Sequence, residues 1–158
     1  METGPEKSNL TEHGWTVRVR WTDDKEAKVY SGKHMFSVGK QASFTEEEAR
    51  TTAVEYLLGA LGGDLVSGFQ RQAAKRGVVI DDEECIVTGR LGNPLVFQGV
   101  VGEVGRPGFD SIGVTLYVGA DSDEATLMDV WRTTLATSPM VSTLERCVKL
   151  SLDIRLMG

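Results

Sequence analysis

The segment Thr51–Gly77, TTAVEYLLGALGGDLVSGFQRQAAKRG, constrains this chain more than any other. Val54, Leu57, Leu58, Leu61, Leu65 and Phe69 recur at steps of three and four, which sets them on one stripe of a long α-helix. Thr52 and Glu55 have the T-x-x-E spacing of a capping box. Arg71, Lys75 and Arg76 stand where a helix dipole favours cations, and Gly77 suits the stop. The unusual feature is the interior. Gly59, Gly62, Gly63 and Gly68 each cost roughly 0.8–1 kcal/mol against alanine, so the helix needs compensation, most simply the close approach of another backbone. Asp64 lies on the edge of the apolar stripe, where a carboxylate needs a partner or a raised pKa.

The rest of the chain reads as strands and shorter helices around that element. Trp15 to Trp21 alternates, with Val17, Val19 and Trp21 opposite Thr16, Arg18 and Arg20, which predicts a strand with one wet face. Asp23-Asp24-Lys25 is a turn, and Ala27–Ser31 and His34–Val38 complete a meander through Gly32-Lys33. Ser43 and Thr45 can each open a short helical turn. Beyond the long helix, Val78–Leu91 reads as a strand with Cys85, Val87 and Leu91 opposite Ile86, Thr88 and Arg90. Asn93–Asp110 reads as a long connection with a short extended piece at Leu95–Val101. Its GVVGEVG lacks the Gly-Lys-Ser/Thr ending and the context of a phosphate loop.

Ile112–Val118 alternates again, Ser122 can cap a helix from Asp123 to about Ala136, and Ser138-Pro139 restarts a helix with serine at the N-cap and proline first. Lys149–Leu156 is a last alternating strand. Hairpin-linked strands with segregated helices predict an α+β fold with mainly antiparallel pairing. Residues 1–13 read as a flexible polar arm and 14–158 as one domain.

Charge and cysteine usage narrow the function. A net charge of −6 argues against generic nucleic-acid or anionic-membrane binding, while leaving room for a local basic patch. No apolar run reaches the roughly 20 residues of a membrane span, and the polar N-terminus is no secretory signal. Cys85 and Cys147 lack C-x-x-C spacing, which fits free thiols in a reducing cytoplasm rather than a disulfide framework. With only His13 and His34, neither a metal site nor a Ser-His-Asp constellation is legible, and no cofactor is expected. Trp15, Trp21 and Trp131 read as core or interface residues, or as walls of an apolar pocket.

The element order and the segment VEYLLGALGGDL resemble the OsmC/Ohr family of organic hydroperoxide reductases. That family carries a P-x-E-L-L-x-x-A-L-x-x-C pattern on a long central helix and a Cys-Pro opening a later one. Glu55, Leu57, Ala60 and Leu61 match the first pattern, and Ser138-Pro139 matches the second, over a resemblance running from about Trp15 to the end. It implies an OsmC-like β(3)-α-β(2)-α(2)-β fold and an intertwined homodimer, its central helices flanked by antiparallel sheets and its active sites at the subunit interface. It also implies a peroxide-attacking cysteine at the position of Asp64 and a resolving cysteine at that of Ser138. Neither residue can form a sulfenic acid or a disulfide.

Three candidates for the site follow. Glu55 would be the family's pocket carboxylate, or else simply completes the capping box. Asp64 would be a pocket base or anchor, or a helix carboxylate hydrogen-bonded to a neighbour. Ser138 would be a nucleophile or, more simply, a helix cap. Arg50 is a candidate for the family's catalytic arginine. The leading expectation is a non-peroxidase that binds a small apolar or amphipathic molecule in the former cleft, with Glu55 and Asp64 orienting its polar end. The alternatives are a hydroperoxide reductase with displaced thiols at Cys85 or Cys147, a carboxylate acid–base enzyme, and an interaction protein with a filled pocket. Whether the chain is an enzyme stays open.

Overall fold

The structure, a computed structural model, describes residues 14–22, 26–40 and 50–157. The N-terminal arm, the turn at Asp23-Asp24-Lys25 and the helical turns expected from Ser43 and Thr45 lie outside them. The chain divides into two compact units, residues 1–53 and 54–158.

The first unit is the expected meander: β1 (Arg18–Thr22), β2 (Glu26–Ser31) and β3 (His34–Gly39), antiparallel in that order. Gly32 turns β2 into β3 at φ 56°, a conformation that suits glycine. The Gly39 amide donates to the Thr51 carbonyl at 2.8 Å, which ties the returning chain to β3. The alternation sets Val19, Trp21, Ala27, Val29, Phe36 and Val38 on one face. Val29 is buried, but Val19 and Trp21 are 57% and 53% exposed, so the face expected to be dry is only partly covered. Trp15 precedes the strand and is also exposed.

The second unit is built on the long helix, α1 (Ala53–Lys75). Thr52 directly precedes it and Glu55 is its third residue, the arrangement a capping box requires. It stops as expected: Val78 N–H bonds the Ala73 carbonyl and Gly77 N–H that of Ala74, with Gly77 at φ 70°, a Schellman motif. Then follow β4 (Ile80–Leu91), α2 (Pro94–Phe97), β5 (Phe109–Ala120), α3 (Glu124–Thr137), α4 (Pro139–Leu144) and β6 (Lys149–Met157). Leu61, Leu65 and Phe69 of α1 form one core with Val114 and Leu116 of β5 and Val130 and Trp131 of α3. No helix among the described residues is long and apolar enough to cross a membrane.

Four local expectations are corrected. The piece expected to be extended at Leu95–Val101 begins with the helical turn α2, because the Asn93 side chain accepts from the Leu95 amide and Pro94 supplies a pre-set first helical residue. The cap of α3 is Asp123 rather than Ser122: its carboxylate accepts from the Thr126 amide at 2.9 Å and from the Thr126 hydroxyl at 2.7 Å. Pairing in the second sheet is not wholly antiparallel. β4 pairs antiparallel with β5, but β6 lies parallel to β5, because α3 and α4 form the crossover that a parallel return requires.

The fourth correction concerns the glycines. Gly62 and Gly68 are buried against side chains, not another backbone: a Cβ at Gly62 would meet Val87 Cγ2 at 3.0 Å, and one at Gly68 would meet Thr134 Cγ2 at 3.2 Å. Gly59 and Gly63, one turn apart, face open space.

Candidate functional site

A cavity of about 500 Å³ runs between α1 and β4. Glu55, Leu58, Gly59, Gly62, Gly63 and Val66 form its helical wall, and Cys85 and Val87 form its strand wall. Both walls follow from periodicity. Positions 55, 59, 62, 63 and 66 repeat at steps of three and four along one helix face, and 85 and 87 share a face of the strand. Gly62 lets Val87 approach the helix closely.

Chemistry at the strand wall is subdued. Burial, and secondarily the charge of Glu83, pushes the Cys85 thiol above its ordinary pKa, which suppresses the nucleophilic thiolate. Glu83 is two residues back on the same face of β4. Its Oε2 accepts from Gln70 Nε2 at 2.6 Å, while its buried Oε1 has no partner among the described residues. Burial raises the Glu83 pKa, and the Gln70 hydrogen bond partly opposes that rise.

Asp64 is elsewhere. It is nine residues after Glu55, two and a half helical turns, and is not among the residues lining the cavity. Ser138 Oγ donates to Asp64 Oδ2 at 2.5 Å and accepts from the Val141 amide at 3.0 Å. Ser138 is 5% exposed and Asp64 half-buried, so this pair of hydrogen bonds is a partly buried joint between α1 and the start of α4. The partner that the Asp64 carboxylate needed is therefore Ser138, and the cap expected at Ser138 is present. The structure thus joins two of the three sequence candidates to each other and assigns the third, Glu55, to the cavity. A serine whose hydroxyl donates to a carboxylate and accepts a helix amide is held as a joint, with no imidazole beside it in these bonds.

The remaining candidates are separate. Arg50 pairs with Glu26 at 2.9 Å within the first unit. Both cysteines are free; Cys147 lies exposed between α4 and β6 and lines a second cavity with Arg106, Arg146 and Lys149, beside Asp110 and Glu145. Among the described residues no group of three or more His, Cys, Asp or Glu side chains could hold a metal ion. The role of Cys85 as cavity wall went unread in the sequence; the signal was there, in its alternation with Val87 opposite a glycine-rich helix face.

A family model described as OsmC-like protein matches residues 45–153. Among solved structures, an OsmC-like protein from Mycoplasma pneumoniae is 14% identical, covers 94% of this chain and 100% of its own, and superposes with a TM-score of 0.78. The organic hydroperoxide resistance protein OhrB of Bacillus subtilis is 16% identical with a TM-score of 0.58, covering 90% of this chain and 98% of its own. A Legionella pneumophila organic hydroperoxide resistance protein, OsmC, is 11% identical with a TM-score of 0.62 over 90% and 98% of the two chains. At these identities the likeness speaks for the fold alone. No curated protein sequence matches.

Proposed function

Because this chain belongs to the OsmC-like family, related to organic hydroperoxide resistance proteins, we propose that it is a member without thiol peroxidase activity. It binds a small apolar or amphipathic molecule in the α1–β4 cavity. The observation that carries this reading is the hydrogen-bonded Asp64–Ser138 joint, at the two positions where the sequence resemblance sets the reacting cysteines. A carboxylate and a hydroxyl tied to each other offer no route to a sulfenic acid or a disulfide. The cavity supports the rest: its walls are apolar or glycine, with one carboxylate, Glu55, to orient a polar group.

The protein acts as a cytoplasmic homodimer. The exposed Val19 and Trp21 leave apolar strand surface for a second copy to cover. A second reading, a hydroperoxide reductase with a displaced thiol, has one observation in its favour, Cys85 in the cavity wall. The upward shift of that thiol weighs against it.

Native mass spectrometry of protein purified from its own cell tests the binding reading. A retained small molecule, absent from a Val66→Trp variant that fills the cavity, is the expected result. A wild-type protein carrying nothing, and binding no environment-sensitive apolar dye that the variant loses, overturns it. Turnover of tert-butyl hydroperoxide with a dithiol, abolished in Cys85→Ser, would establish the second reading instead.

A further inference from the structure

The first unit carries a charged surface that the cavity does not use. On the polar face of its sheet, Arg18, Arg20 and Thr22 stand opposite Tyr30, Lys28 and Glu26, and these stand opposite Met35, Ser37 and Gly39. Glu26 is the one carboxylate on this face among the described residues, and Arg50 already pairs with it. Arg20 and Lys28 are direct cross-strand neighbours of like charge, an arrangement that destabilises a sheet unless an anion lies over it. Among the described residues neither has an ion pair or side-chain hydrogen bond. So, among the described residues of a chain of net charge −6, Arg18, Arg20 and Lys28 share one small face with a single carboxylate that Arg50 already pairs. The longest acidic run, Asp81-Asp82-Glu83-Glu84, belongs to the other unit, while the first unit's own sequence carries the shorter Asp23-Asp24 and Glu46-Glu47-Glu48.

The two rows across the sheet differ in chemistry. One row is Arg18, Tyr30 and Met35: the guanidinium lies 4.5 Å over the tyrosine ring, and Met35 is exposed beside it. It presents flat, polarisable surface with a cation whose edges stay free to donate. The neighbouring row is Arg20, Lys28 and Ser37, all hydrogen-bond donors. Residues two apart on a strand are roughly 6.7 Å apart. A face with a stacking row and, one step along, a cationic donor row matches a nucleotide, base on the first and phosphate on the second. Among the described cavities, neither is lined by this face, and a flat surface suits a chain of repeated charges better than a small ion.

From these rows we infer that the polar face of β1–β2–β3 docks single-stranded nucleic acid, with Arg18, Arg20 and Lys28 on the phosphodiester backbone and Tyr30 and Met35 against a base. The acidic remainder of the molecule repels the strand, so binding is weak and strongly salt-dependent; beyond a Debye length of about 10 Å at 0.1 M salt that repulsion is screened. Fluorescence anisotropy of the full chain with a labelled oligothymidylate, titrated at several salt concentrations, tests this. Three phosphate contacts predict that log K falls against log salt with a slope of about −2, and Arg20→Gln with Lys28→Gln reduces it to about −0.7. Tyr30→Ala with Met35→Ala weakens binding several-fold and leaves the slope unchanged, since stacking releases no counterions. Circular dichroism checks that each variant is folded, and the substituted cations are exposed or half-buried surface groups. Absence of binding at low salt, or a slope that the charge variants leave unchanged, overturns the inference. So does equal binding of polyglutamate, or binding to anionic phospholipid vesicles without binding to the oligonucleotide.

Discussion

The two sheets of this molecule are written in the same period-two pattern and end differently. In β5, Ile112, Val114, Leu116 and Val118 are fully buried, because α1 and α3 of the same unit bring Leu65, Phe69, Val130 and Trp131 into one core with them. In β1, Val19 and Trp21 alternate just as cleanly and remain more than half exposed. Among the described residues the first unit contains no helix to lay over them. Alternation says which face of a strand wants cover; it does not say where the cover comes from. A sheet with its own helices is finished by its own chain, and one without them is finished by some other surface, which the proposed homodimer supplies.

The sharpest way to break this comparison is to truncate one apolar residue in each sheet's surroundings. Phe69→Ala empties a fully buried site and should cost about 3–5 kcal/mol in urea unfolding. If it costs less than Trp21→Ala in dilute protein, the contrast between the units is wrong. Conversely, Val19→Asp with Trp21→Asp should weaken the dimer by roughly 2–3 kcal/mol, from the apolar area an aromatic and a valine bury. Sedimentation velocity across a dilution series reads this directly. A dimer untouched by both charges would mean that this face is not at the interface.

A smaller effect tests the joint at the start of α4. Ser138→Ala removes the bond to Asp64 and the cap on Val141 together, and should cost about 1–2 kcal/mol. Asp64→Asn, which keeps an acceptor for Ser138, should cost less. Equal losses would mean that the carboxylate charge, rather than the hydrogen bond, holds the joint.

The smallest effect is Glu83→Gln, expected below about 1 kcal/mol because the side chain is only half-buried. Its sign is definite. Burial raises the Glu83 pKa above its ordinary 4.5, so the folded state holds the proton more tightly than the unfolded chain does. Ionisation then costs stability as pH rises past 4.5, and the penalty levels off above the folded pKa. Glutamine can still accept from Gln70, so the variant should match wild type near pH 3 and be slightly more stable near pH 7, well either side of a carboxyl titration. Greater stability of the wild type at neutral pH would show that the carboxylate has found a cationic partner.

What the amino-acid order decided by itself was local. The three-and-four spacing from Val54 to Phe69 made α1, and Gly77 ended it in a Schellman motif. Alternation made β4, β5 and β6 and assigned Cys85 and Val87 to one face, and Ser138-Pro139 opened α4 as its residue types require. These outcomes depend on backbone geometry within a turn or two, which the residues there control directly. The motif at Glu55 to Leu61 carried the family as well, since a pattern on a helix survives without its cysteines.

Tertiary structure decided everything that depends on separation along the chain. Asp64 and Ser138 are 74 residues apart, and no periodicity in either segment says that the hydroxyl reaches the carboxylate. Glu55 and Asp64 looked like one pocket's two carboxylates, yet nine residues of helix turn them to opposite sides, one into the cavity and one into the joint. The parallel return of β6 beside β5 was likewise invisible in its alternating residues, because strand direction is set by the crossover through α3 and α4 and not by the strand. Side-chain patterns determine what a surface is made of; only packing determines which surface it meets.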